Sequence, residues 1–136
     1  MPMIHYVQRL PSGVLLVVSD AGKEELDEPL TRWFTRLAQT RLSTWEGRIL
    51  AVKRQFGFKS RVPLFLREDC LLLPIRAWRS PDPFYVNCLA VRSWEKDEAG
   101  NAVVRFSDGS RILAGSAGGF RRRMAEGRAI EEFRAG

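Results

Sequence analysis

The residues best suited to chemistry in this sequence are basic, and they are concentrated in one part of the chain. Residues 41–80 hold nine lysines and arginines but only three acids, so this window carries the whole formal net charge of +6. Clustered cations with few acidic neighbours favour a polyanion such as nucleic acid, or an anionic surface. The nine are Arg41, Arg48, Lys53, Arg54, Lys59, Arg61, Arg67, Arg76 and Arg79.

Five of these cations are predicted to contact phosphates, which would make binding salt-dependent through counterion release. The alternative is a solvated face of a strand. The five are Arg48, Lys53, Arg54, Lys59 and Arg61. A second basic run, RRR at 121–123, suits phosphate docking and plain solubility equally well.

The proline-broken loop IRAWRSPDPFYVN, residues 75–87, combines charge with an aromatic side chain. We expect Arg76 and Arg79 to contact DNA, because arginine is the side chain best suited to the narrow, electronegative minor groove of A/T-rich sequences. Trp78 has two interpretations, core packing or a wedge at a base step. Asn87 could donate hydrogen bonds to bases or simply end a strand pair.

Residue types that support catalysis are scarce. The single histidine, His5, excludes a two-histidine metal site and makes histidine-based nucleophilic catalysis a poor fit. Cys70 and Cys88 lie in apolar runs and are predicted to be buried, reduced thiols. The sequence GSAGG at 115–119 lacks a P-loop's lysine and spacing; it is a strand-to-helix turn or, alternatively, a phosphate site at a helix N-terminus. We therefore predict a protein that is not an enzyme, with no catalytic residues, metal or cofactor.

The elements that must position these residues are mostly short strands. HYVQRL and GVLLVVSD predict two strands, DEPLTRWFTRLAQTRL predicts a helix, and GGFRRRMAEGRAIEEF predicts another with Ser116 as its N-cap. Between the helices, GRILAVKRQFGF, RVPLFL, CLLLPI, FYVNCLAVRSWE, AVVRFS and SRILAG are predicted strands. The fold class is therefore α+β: a mostly antiparallel sheet of about six to eight strands, with one helix before the main sheet segment and one at the C-terminus. Core or dimer-seam positions are Trp33, Phe34, Phe65, Trp94, Phe106 and Phe120.

A series of short motifs runs from Trp45 to Met124. They are EGR at 46–48, Lys59 before an apolar run in KSRVPLFL, LLLP at 71–74, the loop IRAWRSPDP, Tyr85-Val86, VVRFSDG at 103–109, and Ser116 with Phe120 before the last helix. In this order the segment resembles the ComK family of competence transcription factors, and from Lys59 to Gly109 no gap is needed. Residues 1–136 are accordingly expected to form a single ComK-like domain, with the resemblance covering about residues 45–124.

The resemblance implies a sequence-dependent regulator that binds paired A/T-rich boxes in double-stranded DNA as a homo-oligomer. The chain departs from the family at Tyr85, commonly tryptophan, at Pro83, commonly cysteine, and at RAWRS, which replaces a serine-rich loop. By this resemblance we expect the chain to be a short member, without the family's C-terminal extension. A single-stranded nucleic-acid-binding protein and a non-activating partner of a longer relative are the alternatives. A cytoplasmic location is expected because no apolar run suits a membrane span or a secretion signal.

Overall fold

The computed structural model describes residues 2–136 and places six strands in one antiparallel sheet. These strands are β1 (Ile4–Arg9), β2 (Leu15–Ser19), β3 (Gly22–Leu26), β4 (Leu64–Arg67), β5 (Cys70–Arg76) and β6 (Phe84–Asn87). Their order across the sheet is β3-β2-β1-β6-β5-β4, so the chain adds β6 beside β1 after a long excursion. Strand β6 therefore lies at the centre of the sheet, with β5 beside it, and a loop of residues 77–83 joins the two.

Two helices precede β4; the first covers one face of this sheet, and the second contributes buried residues to the apolar clusters on both faces. They are α1 (Leu30–Gln39) and α2 (Trp45–Phe56). On α1, Leu30, Trp33, Phe34 and Leu37 are buried against Val7, Leu15, Leu72 and Tyr85 of the sheet. The helical spacing of these apolar residues gives α1 the stripe that the sequence predicts.

The opposite face of the large sheet packs against a second, three-stranded antiparallel sheet and the last helix. The strands are β7 (Val91–Lys96), β8 (Asn101–Phe106) and β9 (Arg111–Ser116), in that order, and α3 spans Ala117–Ala135. Alternate residues of β5 and β6 point toward this face, including Leu71, Leu73, Phe84 and Val86. They pack with apolar side chains of the small sheet and α3 in one buried cluster. The central strands are thus buried on both faces, which explains the unbroken apolar run CLLLPI.

The α+β class is confirmed, with nine strands and three helices in residues 2–136. The interpretation of GRILAVKRQFGF as a strand was wrong, because Trp45–Phe56 forms α2. Its ends carry helix signals: the Thr44 side chain accepts a hydrogen bond from the Gly47 N–H, and Gly57 ends the helix with φ 73°. Trp45, Ile49, Val52 and Phe56 share one face at helical spacing, although valine and isoleucine give the run a strand-like composition.

Two further boundaries differ from those predicted. Residues 23–26, which precede the predicted first helix and were not predicted as a strand, form most of the edge strand β3, which pairs with β2 across a tight turn at Gly22 (φ 119°). The run FYVNCLAVRSWE is not one strand, because a short 3-10 helix at Cys88–Ala90 divides it between the two sheets. The C-terminal helix and its N-cap at Ser116 are confirmed. No helix in residues 2–136 is long and apolar enough to cross a membrane.

Candidate nucleic-acid interface

A groove of about 660 Å³ lies between α2, the segment leading into β4, and the β5–β6 loop. This groove, called the basic groove below, brings together five of the nine residues predicted to bind DNA. They are Lys53, Lys59, Arg61, Trp78 and Arg79. They come from three separate segments of the chain, so only the folded structure places them side by side.

The floor of the basic groove is apolar and partly aromatic. Trp45, Ile49, Val62, Trp78 and Tyr85 all contribute to it. The Trp45 and Trp78 rings meet edge to face with centroids 5.2 Å apart, which joins α2 to the β5–β6 loop. The Tyr85 hydroxyl accepts a hydrogen bond from the backbone N–H of Trp78 at 2.9 Å, and burial raises the pKa of Tyr85 to about 12. Tyr85 therefore stays neutral and anchors the loop over the sheet.

The rim of the basic groove is strongly cationic. Lys53, Lys59, Arg61 and Arg79 surround the floor, and Glu46 is the single acid in the lining. Within residues 2–136 the salt bridges are made by other cations, and none involves these four. Four cations facing one groove without acidic partners can be neutralised only by ions from solution or by an anionic ligand.

Trp78 belongs to the floor rather than protruding from the loop. Its side chain is half-buried against the apolar cluster between α1 and the large sheet. The Arg79 guanidinium lies 4.8 Å from the centroid of the Trp78 ring. A cation at this distance from a tryptophan face is held by a cation–π interaction. The structure thus favours the packing interpretation of Trp78, with the Arg79 guanidinium as the group presented to the groove.

The two loop arginines, predicted to act together, have different environments. Arg76 Nε lies 3.1 Å from Asp82 Oδ2 and donates to the Asp82 carbonyl at 2.8 Å, and its guanidinium stacks over Phe84 at 5.2 Å. Arg76 is not part of the basic groove lining. The charge of Arg76 is therefore largely compensated within the loop, whereas that of Arg79 is not.

Two predicted phosphate contacts on α2 also lie outside the groove lining. Arg48 donates from Nε to the Ser43 hydroxyl at 3.0 Å and covers the Phe65 ring at 4.8 Å. Arg54 is exposed beyond the groove. Successive residues of a helix point in directions about 100° apart around its axis, so Lys53 lines the groove while Arg48 and Arg54 do not. The prediction of a strand did not anticipate this separation.

The expectation that Asn87 donates to bases was wrong. The side chain of Asn87 is fully buried and fully hydrogen-bonded. Its Nδ2 donates to the carbonyls of Ile4 and Asp69, both at 2.8 Å, and its Oδ1 accepts from the N–H groups of Leu71 and Leu89. Asn87 therefore holds β1, β5 and β6 together and has no free donor.

Several groove residues were missed from the sequence. Trp45, Glu46, Ile49 and Leu50 line the groove because α2 turns them toward it. The sequence did contain a signal for this helix. Thr44, a good N-cap residue, comes directly before an apolar i, i+4 repeat, and Gly57 follows the repeat as a C-cap.

The remaining cations of the basic block at residues 41–80 pair with acids, and the two thiols are buried. Arg41 pairs with Glu68 at 2.6 Å and Arg67 with Asp69 at 2.6 Å, and in RRR only Arg123 is buried. Cys70 and Cys88 are buried and not disulfide-bonded, as predicted. No group of three or more histidine, cysteine, aspartate or glutamate side chains in the part of the chain the structure describes could hold a metal ion.

Comparison with known proteins identifies no relative: no family model, no curated protein and no solved structure matches this chain.

Proposed function

We propose that this protein binds double-stranded DNA through the basic groove and regulates transcription, without catalysing a reaction. The observation that carries the proposal is the convergence of four unpaired cations, Lys53, Lys59, Arg61 and Arg79, on one groove that holds a single acid. Phosphate contacts supply most of the non-specific affinity of DNA-binding proteins and position them on the duplex. The groove offers the charge for such contacts on elements fixed by the core.

The magnitude of the effect follows from counterion release. Each neutralised phosphate contributes about −0.9 to the slope of log affinity against log salt concentration. If all four rim cations engage phosphates, we expect a slope of about −3 to −4 from the basic groove alone.

The likeness of the segment 45–124 to the ComK family supplies the finer features of the proposal. These are recognition of paired A/T-rich boxes, binding as a homo-oligomer, and action in the cytoplasm. The stiff loop carrying Arg79 suits entry into a narrow A/T-rich minor groove, because Ser80 and Asp82 hydrogen-bond to each other at 2.8 Å and Pro81 and Pro83 restrict the backbone. Restricted motion lowers the entropy lost on binding.

The test is fluorescence anisotropy with labelled A/T-rich and G/C-rich duplexes and a single strand of equal length, at several salt concentrations. We expect binding to the duplexes that weakens steeply with salt, with preference for the A/T-rich sequence. Absence of duplex binding at low salt would refute the proposal. Selection of bound duplexes from a random pool then tests for the paired A/T boxes.

A single-stranded nucleic-acid-binding function is the second candidate. It is favoured by one observation, the aromatic floor formed by Trp45 and Trp78 under a cationic rim, since single-strand sites combine stacking platforms with basic grooves. The same anisotropy series distinguishes the two. Tighter binding to the single strand than to either duplex, with quenching of tryptophan fluorescence, selects this second function.

A further inference from the structure

Helix α2, which forms one wall of the basic groove, is held to the core by a narrow strip of its surface. Trp45 and Val52 are its only buried residues, and Ile49 and Phe56 pack beside them. Seven of its twelve residues are exposed. Most of the surface of α2 is therefore not used by the fold of this chain.

The exposed side of α2 presents one set of residues directly away from the core. The four within an arc of about 100° opposite the buried strip, called the outer face below, are Gly47, Leu50, Ala51 and Arg54. Leu50 is 47% exposed, although it is a large apolar side chain. Gly47 and Ala51 are small, so a ligand can approach the helix closely beside Leu50. The outer face is thus low and apolar at its centre, with a cation at its C-terminal end.

The charges on α2 indicate an anionic ligand for this face. Arg48, Lys53 and Arg54 make no salt bridge within residues 2–136. The single acid of the helix, Glu46, lies in the first turn, where a carboxylate stabilises the helix dipole. By the helical turn, Arg48 and Lys53 lie on opposite sides of the outer face. Cations on both sides of an apolar face suit a groove whose two walls are phosphate backbones.

The outer face is continuous with the basic groove. Leu50 and Lys53 line that groove on the α2 side, Arg79 lines it on the side of the β5–β6 loop, and the contact between Trp45 and Trp78 holds the two sides together. In a duplex each phosphate backbone separates the major groove from the minor groove. A backbone lying in the basic groove therefore leaves one groove to α2 and the other to the loop. The major groove, about 12 Å wide, admits an α-helix, whereas the minor groove, about 6 Å wide, is too narrow for one.

We propose that α2 is the base-reading element of this protein and that its outer face enters the major groove of the duplex bound in the basic groove. Leu50 and Ala51 contact thymine methyl groups, which A/T base pairs present only in the major groove. Arg54 binds a phosphate across the major groove from the backbone that Lys53 holds. The inference rests on the proposed function, because it requires a duplex in the basic groove, and it adds the contact that selects A/T-rich sequence.

The first test compares an A/T-rich duplex with the same duplex in which every thymine is replaced by uracil. Uracil lacks only the methyl group in the major groove and keeps the acceptor that thymine presents in the minor groove. The wild-type protein should prefer the thymine duplex by about fourfold for each methyl group that α2 buries. Leu50→Ala should lower this ratio. Arg79→Ala should weaken binding to both duplexes and keep the ratio, because Arg79 lies on the minor-groove side.

The second test uses matched substitutions at exposed helix positions of α2 and α3. Ala51→Leu adds bulk to the outer face, and Ala125→Leu makes the same change on α3. Arg54→Ala removes the cation of the outer face, and Arg128→Ala is its control on α3. Ala51→Leu and Arg54→Ala should each weaken duplex binding about tenfold, and Arg54→Ala should also reduce the salt slope by about one. The two α3 variants should change affinity less than about twofold, and all four should unfold at midpoints close to that of the wild type.

Equal binding of the thymine and uracil duplexes by the wild-type protein would overturn the role of α2 in the major groove. So would equal effects of the α2 and α3 substitutions, or a ratio that Arg79→Ala abolishes and Leu50→Ala leaves unchanged. Each of these results leaves the proposed function standing, because the wild-type protein still binds duplex. A wild-type protein that binds no duplex overturns the proposed function and this inference together.

Discussion

Trp45 of α2 and Trp78 of the β5–β6 loop meet edge to face, with ring centroids 5.2 Å apart. The contact links segments that the sequence separates by more than thirty residues and makes the floor of the basic groove continuous. Tyr85 supports it from below, through its hydrogen bond to the Trp78 N–H and its edge-to-face contact with Phe34 of α1 at 5.3 Å. The position of the rim cations on α2 and on the loop therefore depends on this aromatic junction.

Trp78→Ala should destabilise the fold by about 2–3 kcal/mol, because it removes a large, half-buried ring that bridges α2 and the loop. Trp78→Phe retains an aromatic ring and should cost less than about 1.5 kcal/mol. Urea unfolding followed by circular dichroism measures both. An alanine variant as stable as the wild type would show that Trp78 does not anchor the loop.

Asn87→Ala should cost about 3 kcal/mol or more, because it leaves two carbonyls and two N–H groups without their buried partner. Asn101, the only other asparagine, offers the control. It is half-buried, and Asn101→Ala should cost less than about 1 kcal/mol. Equal unfolding midpoints for the two variants would contradict the structural role assigned to Asn87.

Two glycines of α3 should respond in opposite directions to alanine. At Gly127 a Cβ would lie 2.9 Å from the Cys88 Sγ and 3.1 Å from Leu73 Cδ2, so overpacking should outweigh the gain in helix propensity and cost about 1 kcal/mol net. At Gly118 the space is open, and alanine should stabilise by about 0.5 kcal/mol. Thermal unfolding of the two variants compares them directly. Stabilisation by Gly127→Ala would mean that α3 sits farther from the sheet than described.

Stability should decline at alkaline pH. Burial raises the pKa of the Cys70 thiol from 9.0 to about 12, that of Cys88 from 9.0 to about 11, and that of Tyr85 from 10.0 to about 12. Above pH 9 the unfolded chain releases protons that the native chain keeps. The stability contributed by the neutral groups is therefore complete below pH 9 and is lost as pH rises toward 11–12.

Urea midpoints at pH 8 and pH 10.5 measure this loss. We expect a lower midpoint at pH 10.5 and a smaller drop in Cys88→Ala, which removes one of the three groups. The native thiols should also react slowly with thiol reagents at pH 8, because the reactive thiolate is scarce. A midpoint independent of pH over this range would contradict the burial of these groups.

Periodicity and turn residues predicted most of the strands and both helices that flank the main sheet segment. The segment Trp45–Phe56 was predicted wrongly because its isoleucine and valine residues favour strands locally, while its caps at Thr44 and Gly57 and its packing against β4 favour a helix. Local caps and packing against the sheet together therefore decided its structure, and the strand prediction overlooked the caps. The division of residues 84–95 between two sheets depends on the 3-10 turn at Cys88–Ala90, which alternation of residue types does not reveal.

The candidate site was predictable in composition but not in arrangement. The sequence localised the excess charge, yet it could not show that Asp82 compensates Arg76 or that Asn87 satisfies four buried backbone groups. Those facts depend on the folded loop and on strand neighbours far apart in the chain, such as Ile4 beside Asn87. The grouping of Lys53, Lys59, Arg61 and Arg79 likewise needed the helical turn of α2.

In the proposed function, the position of the cations, and not the net charge of the protein, creates the DNA-binding surface. Two triple variants with identical net charge test it. Lys53→Gln, Lys59→Gln and Arg79→Gln together remove three rim cations of the basic groove. Arg92→Gln, Arg105→Gln and Arg111→Gln together remove three exposed arginines of the small sheet.

The most direct measurement is the dissociation constant of each triple variant for one A/T-rich duplex at fixed low salt. The groove variant should bind about a hundredfold more weakly than the wild type and show a salt slope smaller by about three, whereas the sheet variant should lose less than about fivefold. Equal losses in the two variants, or a larger loss in the sheet variant, would contradict the assignment of the basic groove as the DNA-binding surface.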